Sequence, residues 1–440
     1  MSVLPALRIT VGAVAETRLQ AIFQAVHPNE KPREIARCRL EELGLPQAPG
    51  ELQRTPEQAF GVPEKVLNLL KSAAGELGPS PLPPQEALWL DLRGPRGYLY
   101  VLPWERMLEP LGRPLLRRPQ HALRPTASES ALSVGLCASA PESASRFETV
   151  PVLRRLCRIW TERPERRVKI HVFTDSTGVA GIREWAAGRE ANIVVHDPPK
   201  AGPTKASVDS AALAHPWLRW IRDATQGTAL DVVHFAGHGH LDQDRGQIAL
   251  ADTPRPSSDQ ITRFAGAPEV LSLMGQVGAW CLALTGPQDN HCPAGLRELA
   301  DAVSLAGPYV AVVHEMNCDD TEMRQLGDTV ATIAGDVPPG LGPLPAVTCW
   351  VHPQFIRFPR TDEQKQYLDH QGNSSFIDDT TREVIARDDT PAWVASATRT
   401  VESLQAKWVP RDPGQAMDSD AMQALESVAS LVRKHVEKST

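Results

Sequence analysis

The chain has 440 residues, of which 42% are hydrophobic and 22% charged, and its formal net charge is −7 with a pI near 6.0. This composition is ordinary for a globular protein, and the chain is long enough for two or three domains or for one large core with appendages. The negative charge argues against a nucleic-acid-binding surface over the whole protein. No stretch reaches about 18 uninterrupted apolar residues, so the sequence predicts no membrane span.

The seven cysteines are scattered along the chain and form no C-x-x-C pair. An odd, unpatterned set is typical of reduced thiols in a cytosol rather than of a disulfide framework. Residues 1–10 also lack the basic start and the long apolar run of a signal peptide. We therefore expect a soluble cytoplasmic protein.

Residues 1–80 form an N-terminal segment with a pattern of its own. Ala6–Val11 alternates like a strand, and Pro63–Leu77 has a proline at its start and an apolar stripe on one helical face. The run Gly78–Pro84 is the clearest break in the chain and marks a domain boundary. The segment is interpreted either as a module that docks a partner or as an extra layer on the sheet that follows.

Residues 81–360 alternate between short apolar runs and helical stripes. Helices are predicted at Val150–Glu162, Gly181–Ala187 and Leu213–Thr225. Strands are predicted at Ala87–Leu92, Tyr98–Leu102, Leu132–Cys137, Val168–Thr174, Asn192–Val195, Asp231–Phe235 and Ala346–His352. Apolar runs between helices indicate an α/β fold with a mostly parallel sheet that is covered by helices on both faces.

Residues 361–440 turn helical. Thr361–Gln364 has the form of a capping box, Thr390-Pro391 opens a second helix, and a stripe from Met422 to Val436 marks a third. This helical C-terminal extension either packs as part of the core or serves as a regulatory or docking element.

Asp231–His240, which reads DVVHFAGHGH, is the most informative stretch of the chain. A hydrophobic strand runs directly into Gly237-His238-Gly239. A histidine at the carboxyl end of a strand lies where ligands bind in open α/β sheets, and glycines beside it let another backbone approach closely. The pattern predicts a functional His238; the alternative is a buried histidine in a turn.

This stretch resembles the signature of CHAT domains, the caspase-like and separase-related cysteine peptidases of bacteria. Three further segments are similar to motifs of that family in the same order: Leu102–Leu108 (LPWERML), Gly278–Gly286 (GAWCLALTG) and Leu296–Val313. The resemblance covers roughly residues 85–360.

The resemblance implies a caspase-like sheet in which a pseudo-caspase half precedes a catalytic half, here at about residues 205–360. It implies His238 as the catalytic acid and base. Counting back from Thr285-Gly286 places the nucleophilic cysteine of the family at Ala283.

Two interpretations of the nucleophile follow. Either position 283 is the nucleophile position and holds alanine, by natural decay or by replacement, so that the chain as written cleaves nothing. Or a shift by two residues makes Cys281 the nucleophile, because residues two apart in a strand face the same side.

The chemistry needs a thiol beside an imidazole. A free thiol has a pKa near 8.5, and only the thiolate attacks a carbonyl efficiently. The imidazole shifts the equilibrium between thiol and thiolate, and it donates a proton to the leaving amine. Backbone N–H groups near Gly239 and residue 283 are candidates for stabilising the oxyanion.

Asp319 and Asp320 follow the last strand of the predicted catalytic sheet. They are interpreted as an acidic pocket for a substrate arginine or lysine. Alternatively, Asp320 is simply the N-cap of a helix that begins at Thr321.

A metal-dependent hydrolase is a remote alternative. The run from His238 through His240 and Asp242 approaches the H-x-H-x-D-H motif of metallo-β-lactamase-type enzymes. Gln243 stands where the last histidine would be, which removes one ligand of the second metal. We predict no metal at His234, His238 or His240, and no cofactor.

The resemblance therefore implies a cysteine endopeptidase that cleaves a partner protein in a bacterial defence or cell-suicide system. An activating protein encoded nearby would switch it on by ordering the loop from Leu284 to Pro293, whose composition suits a mobile segment. The alternative function is a catalytically silent scaffold that binds a target without cutting it. Ala283 is the feature that separates the two.

Overall fold

The fold comes from a computed structural model. It describes residues 4–15, 18–27, 30–46, 51–52, 55–80, 84–94, 99–119, 131–141, 148–164, 166–188, 192–199, 213–255, 261–287, 293–316, 320–334, 341–352, 381, 384–385, 390–408 and 419–439. The predicted capping box at Thr361–Gln364 lies outside these residues.

Fifteen strands are present among the described residues. They are β1 (Ala6–Ala15), β2 (Arg18–Val26), β3 (Arg33–Arg39), β4 (Leu88–Arg93), β5 (Leu115–Arg117), β6 (Ala131–Ala138), β7 (Arg167–Thr174), β8 (Ile193–Val195), β9 (Val232–Ala236), β10 (Gly239–Asp242), β11 (Arg245–Ala251), β12 (Thr262–Gly266), β13 (Cys281–Gly286), β14 (Val310–Glu315) and β15 (Val347–Trp350). Twelve of them form one sheet in the order β3-β2-β1-β4-β5-β15-β14-β13-β9-β6-β7-β8, and β10, β11 and β12 form a small antiparallel sheet.

The large sheet is mostly parallel. Only the pairs β1–β2, β2–β3 and β14–β15 are antiparallel among its described neighbours. Central strands such as β9 and β13 are buried along their whole length, which explains why they read as continuous apolar runs. The predicted α/β class is confirmed, and the layout is consistent with a caspase-like fold.

Helices cover both faces of this sheet. They are α1 (Glu64–Leu77), α2 (Trp104–Met107), α3 (Thr149–Glu162), α4 (Ser176–Ala186), α5 (Pro216–Ala224), α6 (Ala267–Val277), α7 (Ala294–Ala306), α8 (Asp320–Ala334), α9 (Ala392–Trp408) and α10 (Ser419–Ser439). Helices α3, α4 and α8 share one hydrophobic core with the sheet, whereas α5, α6 and α7 share the core on the other face.

The N-terminal segment extends the large sheet. Strand β1 pairs with β4 in parallel, from Ala6 opposite Trp89 to Thr10 opposite Arg93. Helix α1 and strands β1 to β3 belong to the same hydrophobic core as Leu88, Leu90 and Trp104. The segment therefore forms a layer continuous with the sheet; its role in docking a partner stays a prediction.

The predicted strand Tyr98–Leu102 is wrong: residues 99–102 form turns. The buried Arg117 side chain donates to the carbonyls of Tyr100 and Leu102 at 2.8 Å each, and pairs with the buried Glu105 carboxylate at 2.8 Å. Trp104 donates from Nε1 to the Leu99 carbonyl at 2.7 Å. The segment is apolar because it is buried as a turn around these polar contacts, not because it pairs in a sheet.

Helix α9 contacts the turn that precedes β13. This is the amino-terminal end of the strand, whereas the G-H-G turn lies beside its carboxyl end. Arg399 donates from Nε to the Gly278 carbonyl at 3.1 Å, and Val394, Ala395 and Val401 are buried. Part of the C-terminal extension thus packs on the core, while α10 packs on α9. In the part of the chain that the structure describes, no helix combines the length and apolarity needed to cross a bilayer.

Candidate active site

The candidate site lies at the carboxyl edge of the sheet, where β9, β13 and β14 end side by side. Strand β13 is parallel to both neighbours. Beyond the last strand pairs, the Gly237 N–H donates to the Thr285 carbonyl at 3.0 Å, and the Met316 N–H donates to the Gly286 carbonyl at 2.9 Å. The G-H-G turn is therefore hydrogen-bonded to the end of β13.

His238 occupies the connection between the two sheets. It follows β9 and precedes β10, its side chain is half-buried, and its carbonyl accepts the Ala249 N–H at 2.8 Å. Gly239 is the first residue of β10. The position of His238 just beyond a strand terminus agrees with the sequence prediction.

The glycines of this region are required by close approach between backbones. A Cβ on Gly239 would lie 2.9 Å from the Leu296 nitrogen, and a Cβ on Gly295 would lie 2.5 Å from the His240 carbonyl carbon. The first turn of α7 thus lies directly on β10. The predicted close approach of another backbone beside His238 is confirmed.

The two candidate nucleophile positions lie inside β13. Ala283 is 3% exposed and stands opposite His234, whereas Cys281 is fully buried and stands opposite Val232. Both belong to the core on the α3 face, and burial is the main cause that raises the pKa of the Cys281 thiol. The G-H-G turn lies beside Thr285 and Gly286, so position 283 lies deeper along the strand.

His234 is a site residue whose contacts sequence reasoning missed. It is fully buried; Trp160 of α3 donates from Nε1 to His234 Nδ1 at 2.9 Å, and His234 Nε2 lies 2.8 Å from the Thr285 hydroxyl. Burial, with the nearby His314, lowers the pKa of His234 to about 3. His234 is therefore neutral at physiological pH.

His314 lies opposite Thr285 in β14 and is also fully buried. Burial lowers its pKa to about 4, although a hydrogen bond with the backbone of Glu322 acts in the other direction. Of the three histidines on β9, β14 and the G-H-G turn, only His238 retains solvent exposure. It is the one of the three that solvent can reach.

A cluster of charged side chains lies at the end of β14. Arg297 of α7 is fully buried, pairs with Glu315 at 2.6 Å and with Glu57, and donates from Nε to the Val101 carbonyl at 2.7 Å. Arg106 pairs with the other oxygen of Glu315 at 2.9 Å. This cluster joins the N-terminal layer to the strand beside Gly286, and no sequence motif indicated it.

The remaining predicted site residues are less informative. The His240 ring packs against Phe264 with ring centroids 4.4 Å apart. Among the described residues, no group of three or more histidines, cysteines or acidic residues is arranged to hold a metal ion, and the absence of a metal stays a prediction. Asp319 lies outside the described residues and Asp320 is the first residue of α8, so the acidic pocket also stays a prediction.

No family model matches the sequence, and no curated protein matches it.

Proposed function

We propose that the chain is a cysteine peptidase of the CHAT type, whose site is the carboxyl edge of β9 and β13 and whose nucleophile position holds Ala283. The observation that carries the proposal is the hydrogen bond from Gly237 to Thr285. It joins the G-H-G turn to the strand that resembles the nucleophile strand of the family. The chain as written therefore cleaves nothing.

The chemistry requires a thiol at position 283. The thiolate would attack the scissile carbonyl carbon to form a carbon–sulfur bond, and His238 would give its proton to the amine nitrogen as the carbon–nitrogen bond breaks. Water, deprotonated by His238, would then hydrolyse the acyl-enzyme and restore the thiol. His234 is excluded from this role because both its ring nitrogens are engaged within the core.

Burial of position 283 supports a requirement for an activating partner. At 3% exposure, a thiol there would be covered until the end of β13 opens. Binding of a protein partner beside Thr285 and Gly286 would supply the contacts that favour the open arrangement. We propose a protein substrate, a partner encoded nearby, a cytoplasmic location and a role in bacterial defence or cell suicide.

A second candidate function is a silent scaffold that uses the same edge for binding alone. It is favoured by the burial of every cysteine that the structure describes, namely Cys38, Cys137, Cys157, Cys281 and Cys349. No thiol among these is exposed to a substrate.

Restoring the thiol separates the two functions. The Ala283→Cys variant is expressed alone and together with the proteins encoded beside it, and cleavage of each neighbour is followed by mass spectrometry. The control is Ala283→Cys with His238→Ala. Cleavage of one neighbour that requires both the thiol and His238 supports the peptidase. Binding of a neighbour without cleavage supports the scaffold, and cleavage that survives His238→Ala contradicts the site.

A further inference from the structure

Three buried side chains form a continuous hydrogen-bonded chain below the candidate site. Trp160 comes from α3, His234 from β9 and Thr285 from β13, and each is at most 1% exposed. These hydrogen bonds therefore connect helix α3, which covers the sheet, with the two strands that carry the G-H-G turn and position 283.

The donor in this chain fixes the tautomer of the histidine. An indole N–H only donates hydrogen bonds, so His234 Nδ1 must accept and cannot carry a proton. A neutral imidazole then carries its single proton on Nε2. That N–H points to the Thr285 hydroxyl at 2.8 Å, which must accept it.

We propose that Trp160 locks His234 in the Nε2–H tautomer and that His234 is a positioning residue, which holds the end of β13 through the Thr285 hydroxyl. The backbone of Thr285 in turn accepts the Gly237 N–H, and Gly237 precedes His238. The lock thus reaches the proposed acid and base through two successive hydrogen bonds. Its positioning role rests on the proposed function, whereas the tautomer itself does not.

The fixed tautomer also explains why His234, which lies beside position 283, does not act as the base in place of His238. Ala283 stands opposite His234 in the strand register. An imidazole whose Nε2 carries a proton and whose Nδ1 accepts from an indole has no free lone pair with which to take a proton from a thiol. Removing the indole donor would allow Nδ1 to hold the proton, and Thr285 would then donate to Nε2.

The test is nitrogen NMR on the full chain with ¹⁵N-labelled histidine, which distinguishes a protonated from an unprotonated ring nitrogen. In the wild type, His234, whose signals are identified by their absence from the spectrum of His234→Gln, should show a protonated Nε2 and an unprotonated Nδ1 and should not titrate between about pH 5 and 8. In Trp160→Phe, the ring proton of His234 should no longer be confined to Nε2, and the Nδ1–H form should be populated.

Trp217→Phe is the matched control. Trp217 is also fully buried, but its Nε1 has no hydrogen-bond partner among the described residues. This variant should leave the pattern of His234 unchanged. The claim that Trp160 fixes the tautomer is wrong if wild-type His234 carries its proton on Nδ1. It is also wrong if Trp160→Phe and Trp217→Phe have the same effect on the ring nitrogens of His234.

The positioning role is tested with Thr285→Val and Thr285→Ser. Valine keeps the shape but removes the hydroxyl, whereas serine keeps the hydroxyl. Thr285→Val should shift the ring resonances of His238 and their pH dependence, and Thr285→Ser should restore them. Equal spectra for the two variants would contradict the positioning role. If the lock is observed but Ala283→Cys never cleaves, the proposed function fails and the tautomer assignment stands.

Discussion

Glu315 lies at the end of β14, beside the candidate site, and its ionisation depends on its surroundings. Burial raises its pKa to about 7, and the Glu57 carboxylate adds to this shift, while Arg297 and Arg106 oppose it. All three neighbours contact the carboxyl or its partner directly. The charge at the end of β14 therefore changes within the physiological pH range.

We predict that Glu315→Gln removes a pH dependence of stability. Between the ordinary glutamate pKa of about 4.3 and the raised value, the folded state holds a proton that the unfolded state has lost. The contribution of Glu315 to the free energy of unfolding is therefore fully present below about pH 4. It falls as the pH rises to about 7 and is constant above that. Each pKa unit corresponds to about 1.4 kcal/mol.

Urea unfolding of wild type and Glu315→Gln between about pH 5 and 8 measures this difference. The free energy of unfolding of the wild type should fall relative to the variant across this window. Glu109→Gln, at an exposed carboxyl, should keep the wild-type slope. A Glu315→Gln profile parallel to the wild type would show that Glu315 ionises normally.

At the residue scale, the sequence supports some assignments and not others. The place of His238 follows from local pattern, because a strand that ends in glycines must turn at the sheet edge. The role of His234 depends on Trp160, which lies 74 residues away in sequence. The Arg297–Glu57 pair spans 240 residues, so no local spacing could indicate it.

At the scale of elements, the contact between α7 and β10 is the one that positions the G-H-G turn. Gly295 in the first turn of α7 lies against the His240 backbone, and Gly246 of β11 lies against the backbone of the same helix. The small sheet and the helix can therefore pack only without side chains at these positions.

We predict that Gly295→Ala destabilises the protein by about 1–3 kcal/mol, because the added methyl group would overlap the His240 backbone. Gly275→Ala is the matched control in the interior of α6, where an added Cβ meets nothing within 4 Å. That variant should be more stable by about 0.5–1 kcal/mol, since alanine is favoured over glycine in a helix. Thermal unfolding measures both, and equal shifts would contradict the packing account.

Most elements could be predicted because their periodicity is set by burial. Strands β6, β7, β9 and β13 and helices α1 and α3 are continuous or one-sided in their apolar pattern. The β10–β12 sheet was not predicted, since its short strands mix exposed and buried residues. The pattern at residues 99–102 predicts a strand, although the segment forms a turn, because any buried segment is apolar whether or not it pairs in a sheet.

At the scale of the whole molecule, the N-terminal layer and the sheet that follows it share one core. Leu7, Phe23 and Leu70 pack in the same cluster as Leu88 and Trp104. The Glu57–Arg297 pair joins the two parts a second time. A separable docking module would not be expected to share buried residues with the sheet.

We predict that removing residues 1–80 prevents folding of the rest, because it exposes one side of β4 and leaves the buried Arg297 without Glu57. Removal of α10 and the residues after it is the control. Of the side chains described in α10, only Leu425 and Val436 are buried. Calorimetry should show one shared transition in the full chain. An 81–440 chain that melts at the wild-type temperature would overturn this prediction.

The measurement that tests the central claim most directly is the alkylation rate of the thiol introduced by Ala283→Cys, followed by peptide mass spectrometry. We expect slow modification of the isolated protein, because position 283 is 3% exposed. With the neighbouring proteins present, the rate should rise, and His238→Ala should lower it at least about tenfold through loss of thiolate. A thiol that stays unreactive with every neighbour, or whose reactivity does not depend on His238, would contradict a peptidase site at this edge.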